Sequence, residues 1–309
     1  MDRFEAMSML LAAVEKGSLS AGAREMGVAI PTLSRKVGEL ETLLGAQLLT
    51  RTTRKLSLTD AGMAYVAAAR RILDQVEEAE REAAGEFKSP KGELVVTSSV
   101  LFGHLYLLPI VSDFLAAFPD INIRMVLGDR NTDLVDDHID MAVRFGDLPD
   151  SDMVATRLGS MRSITCGSPA LLKKHGRPDT PSDLERFPCV STDGPMLSPM
   201  WQFRDPTSLT SFEIRITPRL QVSAALSAVE AAVQGVGLVR LLHYQAVELL
   251  EANKLEPVLE AFEPEPEPVH IVHVPRTQMP LKLRRFIDHA APRLRASLVR
   301  LGQASVQPD

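Results

Sequence analysis

The chain has 309 residues, of which 45% are hydrophobic and 24% charged, with a formal net charge of −6 and two cysteines. This length supports a small domain beside a larger one, and two thiols cannot build a disulfide framework. No run approaches the ~20 consecutive apolar residues of a transmembrane helix, and acids interrupt the first apolar pattern, unlike an export signal. We therefore expect a cytoplasmic protein with no membrane partner.

The first residues have the spacing of a helix-turn-helix. An amphipathic helix comes first, with an inner face made by Phe4, Met7, Leu10, Leu11 and Val14. A short helix from about Ser20 to Met26 follows, in which the small side chain of Ala23 lets another helix cross closely. Gly27 tolerates the positive φ that ends a helix abruptly, and Val28 would pack in the corner.

The next helix has the pattern of a DNA-recognition helix. Pro31 fits its first turn, where a missing N–H costs nothing. The predicted buried face comprises Leu33, Val37, Leu40 and Leu44, at steps of four, three and four. The polar residues on or beside the exposed face, near the helix start, are Thr32, Ser34, Arg35 and Lys36. In a helix-turn-helix these positions enter the major groove.

Two short β-prone runs after Gly45 predict a basic wing. The tip between them contains Arg51, Thr53, Arg54 and Lys55, a composition suited to the phosphate backbone. Residues 31–59 hold five basic and two acidic side chains, so the acidic total of the chain does not oppose DNA binding. The spacing leaves one alternative open, a three-helix domain with a solvated charged loop and no nucleic acid.

Residues 60–88 predict one long linker helix. The run from Asp60 to Phe87 contains no proline and would span roughly 40 Å. Its apolar positions have heptad spacing and predict a dimerisation seam of Tyr65, Ala69, Ile72, Val76 and Ala79. The alternative is a helix packed on its own domain, but the charges between Glu77 and Glu82 leave little apolar surface for that packing.

Beyond the turn-forming residues 89–92, strand and helix patterns alternate. Predicted strands lie at residues 93–99, 121–127, 141–145 and 215–222, and predicted helices at 103–118, 223–235, 244–253 and 281–300. This alternation indicates α/β architecture with mainly parallel sheets in two units. The Glu-Pro repeat from Glu263 to Pro268 is most simply a stiff, solvated extended loop.

The segments SAGAREMGV, PTLSRKVGELETLLG and LLTRTTRKLSLTDAG, in this order, resemble the N-terminal domain of LysR-type transcriptional regulators. The similarity extends over nearly all of residues 1–300. It implies a winged helix-turn-helix domain (1–59), a linker helix (60–88) and a two-lobed periplasmic-binding-protein-like (type II) effector-binding domain (89–309). Lobe I would comprise residues 91–163 and 268–300, and lobe II residues 164–267.

The resemblance implies a transcriptional regulator that binds a promoter dyad in double-stranded DNA, as a homodimer or a dimer of dimers. Two residues depart from the family pattern. Members usually carry Ser or Thr where this chain has Ala29, and loss of that cap should cost the helix about 0.5–2 kcal/mol. Members commonly carry Gln where this chain has Ile30, whose expected contact is a thymine methyl group.

The implied effector is a small organic anion in the cleft between the lobes, where helix N-termini and strand ends meet. The candidate contacts are Ser98, Ser99, Val100, Phe102, Gly128, Asp129, Arg144, Phe145, Thr192 and Ser223. Ser98, Ser99 and Ser223 could equally be ordinary helix caps. Arg144 could instead pair internally with Asp129 or Asp147.

No nucleophile elbow, phosphate loop or zinc spacing was found, so no catalytic residue, metal or cofactor is predicted. Cys166 and Cys189 are expected to be reduced core or cleft residues, with a redox switch as the minor alternative. His270 and His273, three apart in a strand, should face opposite sides. Two other functional classes remain: a solute-binding protein or enzyme with a vestigial N-terminal domain, and an architectural DNA protein.

Overall fold

The computed structural model describes residues 2–51, 56–83, 90–130, 132–149, 152–192, 200–275 and 279–303. The chain divides into two compact units, Met1–Ser89 and Pro90–Asp309. The first contains helices α1 (Arg3–Glu15), α2 (Leu19–Glu25) and α3 (Ile30–Leu44), strands β1 (Leu49–Arg51) and β2 (Leu56–Leu58), and helix α4 (Asp60–Ala83).

Caps and glycines set the limits of the first three helices. The carboxylate of Asp2 accepts the N–H of Phe4 (2.9 Å), and the hydroxyl of Ser18 accepts the N–H of Ala21 (3.1 Å). Gly27 and Gly45 follow α2 and α3 with φ of 66° and 64°, a conformation that glycine adopts without strain. The predicted turn at Gly27 is confirmed.

The backbones of α1 and α2 approach each other closely at Gly22, the residue before Ala23. Ala23 is fully buried, as a small residue at a crossing should be. A Cβ atom on Gly22, however, would lie 2.6 Å from the backbone nitrogen of Ala13 in α1. The backbones of α1 and α2 therefore approach each other at a position that only glycine can occupy without displacement.

The predicted wing strands are present as the antiparallel pair β1 and β2, with Leu49 opposite Leu58. The carboxylate of Glu41 accepts the N–H groups of Leu48 (2.8 Å) and Leu49 (3.0 Å), which attaches the start of β1 to α3. The hydroxyl of Thr59 accepts the N–H of Gly62 and so caps α4. The wing is thus held at its base by contacts to both neighbouring helices.

The second unit contains two five-stranded sheets. Its elements in chain order are β3 (Gly92–Ser98), α5 (Val100–Phe102) continuing through a π-turn into α6 (Leu108–Ala117), β4 (Ile121–Leu127), β5 (Met141–Phe145), β6 (Val154–Met161), β7 (Ser163–Gly167), α7 (Pro169–His175), β8 (Cys189–Thr192), β9 (Met200–Arg204), β10 (Ser211–Arg215), β11 (Pro218–Val222), α8 (Ala225–Val233), β12 (Leu238–Leu242), α9 (Val247–Glu251), β13 (Glu256–Val258), β14 (Glu267–His273) and α10 (Leu281–Gln303).

We call the sheet β4-β3-β5-β14-β6, with helices α5, α6 and α10, the first lobe. We call the sheet β11-β8-β12-β7-β13, with the elements from α7 to α9, the second lobe. The α/β class is confirmed, but both sheets are mixed rather than mainly parallel. Strands β6 and β14 in the first lobe, and β7 and β13 in the second, are antiparallel to their neighbours. They carry the chain between the lobes and back, which reverses its direction.

The continuous helix 100–117 is the one described helix that is long and apolar enough to cross a membrane by length and composition. One such helix is weak support for a membrane span, because core helices pass the same test. Phe102, Leu107, Ile110, Val111 and Phe114 pack in the core of the first lobe. Packing of these five side chains therefore accounts for part of the apolar composition of this helix.

The crossings between lobes are joined by ion pairs. The chain leaves the first lobe at Arg162, whose guanidinium makes two hydrogen bonds to the carboxylate of Glu263, at 2.8 and 2.9 Å. Glu265 pairs with Arg204 at 3.2 Å. The expectation of a solvated loop at the Glu-Pro repeat is wrong for Glu263, because its side chain is only 14% exposed. The carboxylates of this segment hold the returning chain against its neighbours.

Candidate DNA-binding surface and effector site

The start of helix α3 combines a fixed core face with an exposed surface. Leu33, Val37 and Leu40 are fully buried in the core of the first unit, as their spacing predicts. Leu44 was expected on the same face but is 41% exposed, because it lies at the last residue of α3 beside the turn at Gly45. The rotation of α3 is therefore set by three residues in its first three turns.

The residues at the beginning of α3 lie where a groove-reading surface needs them. Ala29 is the N-cap residue, with φ of −68° and ψ of 141°, and it offers no side-chain cap. Ile30 is half exposed, Pro31 and Arg35 are exposed, and Thr32 and Ser34 are half-buried beside them. Arg35 forms an i,i+4 ion pair with Glu39 on the helix surface. A solvated pair of this kind is weak and leaves the guanidinium able to change partner.

Lys36 does not lie on this exposed surface, although the sequence placed it there. Its side chain is 15% exposed, and its ammonium group pairs with the carboxylate of Glu5 in α1. The position follows Arg35 by about 100° around the helix, which turns it toward α1. Lys36 therefore joins two helices of the first unit rather than extending from α3 like Arg35.

The basic wing tip falls mostly outside the described residues. Arg51 ends strand β1, and its backbone is paired with Leu56. Thr53, Arg54 and Lys55 lie outside the described residues, so their predicted contacts to the phosphate backbone stay predictions.

The predicted dimerisation seam begins within the first unit's own core. Ala69 is fully buried, and the half-buried Tyr65 packs against the same cluster as α1 and α3. The first two seam positions are thus largely used in packing α4 on its own unit, which corrects the expectation of a seam along the whole helix. Ile72 remains 37% exposed and Val76 half-buried. The side chain of Ala79 lies outside the described residues.

The effector candidates in the second unit meet at the carboxylate of Asp129. One oxygen accepts the N–H of Val100 (3.1 Å), at the start of the first-lobe helix, and the other accepts the N–H of Ala225 (3.0 Å), at the start of α8. These are the helix N-termini where an anion was expected. In this structure the anion that occupies them belongs to the chain itself.

An aromatic cluster lies directly beside this carboxylate. The hydroxyl groups of Ser99 and Tyr244 lie 3.1 Å apart, and the ring of Tyr244 stacks on Phe145 at a centroid distance of 5.5 Å. Burial raises the pKa of Tyr244 to about 12, so its hydroxyl stays protonated at neutral pH. Phe102 is fully buried against both rings. It has no exposed surface in this structure, and its contact with an effector stays a prediction.

Ser98 and Gly128 support the same region through the backbone. The N–H of Gly128 donates to the carbonyl of Ser98 at 3.0 Å, which fixes the loop that carries Asp129. The hydroxyl of Ser98 is buried and has no hydrogen-bond partner within the described part of the chain. Ser98 therefore does not cap the helix.

Ser223 and Thr192 lie at strand ends of the second lobe. Ser223 is exposed and precedes α8 by two residues, because the helix begins at Ala225 with Ala224 as its N-cap. Ser223 therefore does not open α8 as the sequence suggested. Thr192 is half-buried at the end of β8, opposite Val222 of β11.

Arg144 is paired within the first lobe, but with neither predicted aspartate. Its guanidinium donates to the carbonyl of Thr132. The carboxylate of Asp133 accepts the N–H groups of Asp136 and Val135, which lowers its pKa, and Arg144 lowers that pKa further. Arg144 thus stabilises the loop after Asp129, and the suggested pairs with Asp129 or Asp147 are replaced by this contact.

The two cysteines face opposite sides of the second sheet. Cys166 packs with the α8 cluster, whereas Cys189 packs with Trp201 and Phe203 on the other side. Both thiols are buried, and burial raises the pKa of each to about 12. The thiolate is the reactive form, so this environment suppresses the chemistry of a redox switch and supports the expectation of reduced core residues.

Two contributors to this region were missed from the sequence. Tyr244 follows strand β12 and looks like the start of a helix, yet it packs in the first-lobe core. The N–H of Ala225 carries no side-chain signal. The strand-end position of Tyr244 is the only cue that could have identified it.

Comparisons with known proteins agree with this arrangement. The family model for the bacterial regulatory helix-turn-helix protein, lysR family, matches residues 4–63, and the one for the LysR substrate binding domain matches residues 87–295. An HTH-type transcriptional repressor of Pseudomonas aeruginosa is 31% identical over 290 residues, 93% of this chain and 91% of that protein. The HTH-type transcriptional activator AaeR of Escherichia coli is 27% identical over 290 residues, covering 93% of each chain.

The structure of CrgA, a LysR-type transcriptional regulator from Neisseria meningitidis, aligns with a TM-score of 0.59 and 30% identity. That alignment covers 94% of this chain and 98% of CrgA. The chain therefore belongs to the LysR family of DNA-binding transcriptional regulators, with an N-terminal helix-turn-helix domain and an effector-binding domain.

Proposed function

We propose that this regulator reads a promoter dyad as a homodimer, with the start of α3 in the major groove of each half-site. The observation that carries this proposal is the exposure of side chains in the first two turns of α3. Ile30, Pro31 and Arg35 are exposed there, while Leu33 and Val37 fix the helix orientation from the buried side. A recognition helix needs both properties, because base edges are read only from a fixed geometry.

We assign DNA binding to residues 1–59, the linker helix to 60–88 and effector binding to 89–309, with lobe limits at residues 163 and 268. Dimerisation would use the distal part of α4, where Ile72 and Val76 are not consumed by the core of the first unit. Dimers would associate further into tetramers. The protein would act in the cytoplasm, where promoter DNA lies.

The second unit would bind a small organic anion without converting it. The support is that the N–H groups of Val100 and Ala225 both donate to a carboxylate, that of Asp129. Effector binding would move the lobes relative to each other and change the separation of the linker helices. The dimer would then fit a different spacing between the two half-sites of the promoter.

Selection of binding sites from randomised duplexes tests the DNA-reading role. The unmodified chain should enrich a dyad, and Arg35→Ala should lose preference at one position or more of each half-site, by about 1–3 kcal/mol if it reads a base. Ile30→Gln should change the preferred base at one position, since an amide replaces an apolar contact. Arg70→Ala is the matched control, because Arg70 pairs with Glu15 away from α3.

Enrichment of no motif by the unmodified chain would refute the proposal. Equal motifs from the unmodified chain, Ile30→Gln and Arg35→Ala would refute the role given to the start of α3.

A further inference from the structure

Asp129 connects the two lobes through hydrogen bonds to backbone groups of both. The loop that carries it belongs to the first lobe, between β4 and β5. Its Oδ1 atom accepts from Val100 in the same lobe, and its Oδ2 atom accepts from Ala225 in the second lobe, 96 residues away. One carboxylate therefore joins the starts of two helices that lie in different lobes.

Neither helix has a cap of its own. The residue before α8 is Ala224, which has no side-chain acceptor. The residue before the first-lobe helix is Ser99, but its hydroxyl makes no capping bond and contacts Tyr244 instead. The first N–H groups of a helix need an external partner. In both helices Asp129 supplies it, and a charged acceptor is favoured there by the helix dipole.

From this geometry we propose that Asp129 is a built-in latch between the lobes, an internal carboxylate that holds them in the arrangement seen here. The Asp129 carboxylate accepts two hydrogen bonds, one from each lobe. Moving the lobes apart breaks the bond from the N–H of Ala225. The contact between Ser99 and Tyr244 lies beside the latch, so release of Asp129 loosens the interface without separating it.

The latch also has a consequence for effector binding, which rests on the proposed function. A carboxylate effector that binds the N–H groups of Val100 and Ala225 has to compete with Asp129 for them. Two carboxylates cannot share these donors without strong repulsion. Effector binding would then exchange an anion that is tethered to the first lobe for a free one, and this exchange is the step that changes the lobe arrangement.

Hydrogen exchange of the full-length chain, read by mass spectrometry without DNA or effector, tests the latch. Asp129→Ala should raise the exchange rate at the starts of α8 and of helix 100–117 by about tenfold, the loss expected for a bond to a charged acceptor. Sodium acetate should slow that exchange again in Asp129→Ala, whereas sodium chloride at equal ionic strength should not.

The matched control is Asp133→Ala. Asp133 also accepts two backbone N–H groups, from Val135 (2.8 Å) and Asp136 (3.0 Å), but both belong to its own turn. Its removal should raise exchange only in that turn. Unchanged exchange at the start of α8 in Asp129→Ala would overturn the latch. Faster exchange that acetate does not reverse would overturn the replacement of Asp129 by a free carboxylate. Because no DNA is used, neither result depends on the DNA-reading role.

Discussion

Replacing Gly22 by alanine should destabilise the first unit, although alanine is the better helix former. A Cβ atom at this position would lie 2.6 and 2.7 Å from the nitrogen and Cα of Ala13. Real Cβ atoms essentially never approach other heavy atoms within 3.0 Å, so α1 and α2 must move apart. Overpacking costs about 1–3 kcal/mol, and helix propensity offsets about 1 kcal/mol. Because the clash is with backbone, which cannot rotate away, we expect a net loss of about 1–2 kcal/mol.

Gly38 provides the matched control, because it lies inside α3 where an added Cβ atom would meet no described neighbour within 4 Å. Gly38→Ala should stabilise the same unit by about 0.5–1 kcal/mol. Hydrogen exchange of peptides from α1 to α3 is the suitable assay, since the single tryptophan, Trp201, lies in the second unit and does not report on the first. Exchange should be about 5–30 times faster in Gly22→Ala and slower in Gly38→Ala. If both variants slowed exchange, the close approach of α1 and α2 would be refuted.

Three further predictions concern ion pairs and thiols. Lys36→Ala should speed hydrogen exchange in α1 and leave the salt dependence of DNA binding nearly unchanged, because the Lys36 ammonium pairs with Glu5 of α1. A salt slope reduced by about 1 would show a phosphate contact instead. Glu263→Gln should lower the free energy of unfolding of the second unit by about 1–3 kcal/mol, because the half-buried Arg162 loses its carboxylate partner. Urea titrations followed by tryptophan fluorescence measure this loss, and an unchanged midpoint would contradict it. Burial raises the pKa of Cys166 and Cys189 from 9.0 to about 12. Between these pH values the native thiols keep their protons whereas the unfolded thiols ionise, so stability should fall as pH rises from about 9 toward 12. Iodoacetamide at about pH 9 should label them in urea but hardly in the native chain, and equal labelling would count against their burial.

The parts of this molecule that the sequence predicted are those fixed by local pattern. The spacing of Leu33, Val37 and Leu40 specifies one face of a helix, and Gly27 specifies where the preceding helix ends. The same holds for the two short wing strands on either side of a basic tip. In each case the residues that determine the structure lie within about ten positions of one another.

The parts that the sequence did not predict depend on distant partners. Lys36 meets Glu5 across 31 positions, Asp129 meets Ala225 across 96, and Ser99 meets Tyr244 across 145. Each partner has an equally plausible local role when it is read alone, as a surface lysine, a loop aspartate or a helix-start residue. The strand ends therefore predict an effector region that stays a prediction, and they do not indicate that Asp129 accepts the N–H groups of Val100 and Ala225.

DNA reading by α3 is tested by retention of fragmented genomic DNA on the purified chain, with Arg35→Ala as the matched variant, followed by sequencing of the bound fragments. A regulator that reads DNA with the start of α3 should enrich a few promoter fragments that contain a dyad, and Arg35→Ala should lose that enrichment. Uniform retention at physiological salt, or the same fragments bound by both proteins, would contradict sequence-specific binding through the start of α3.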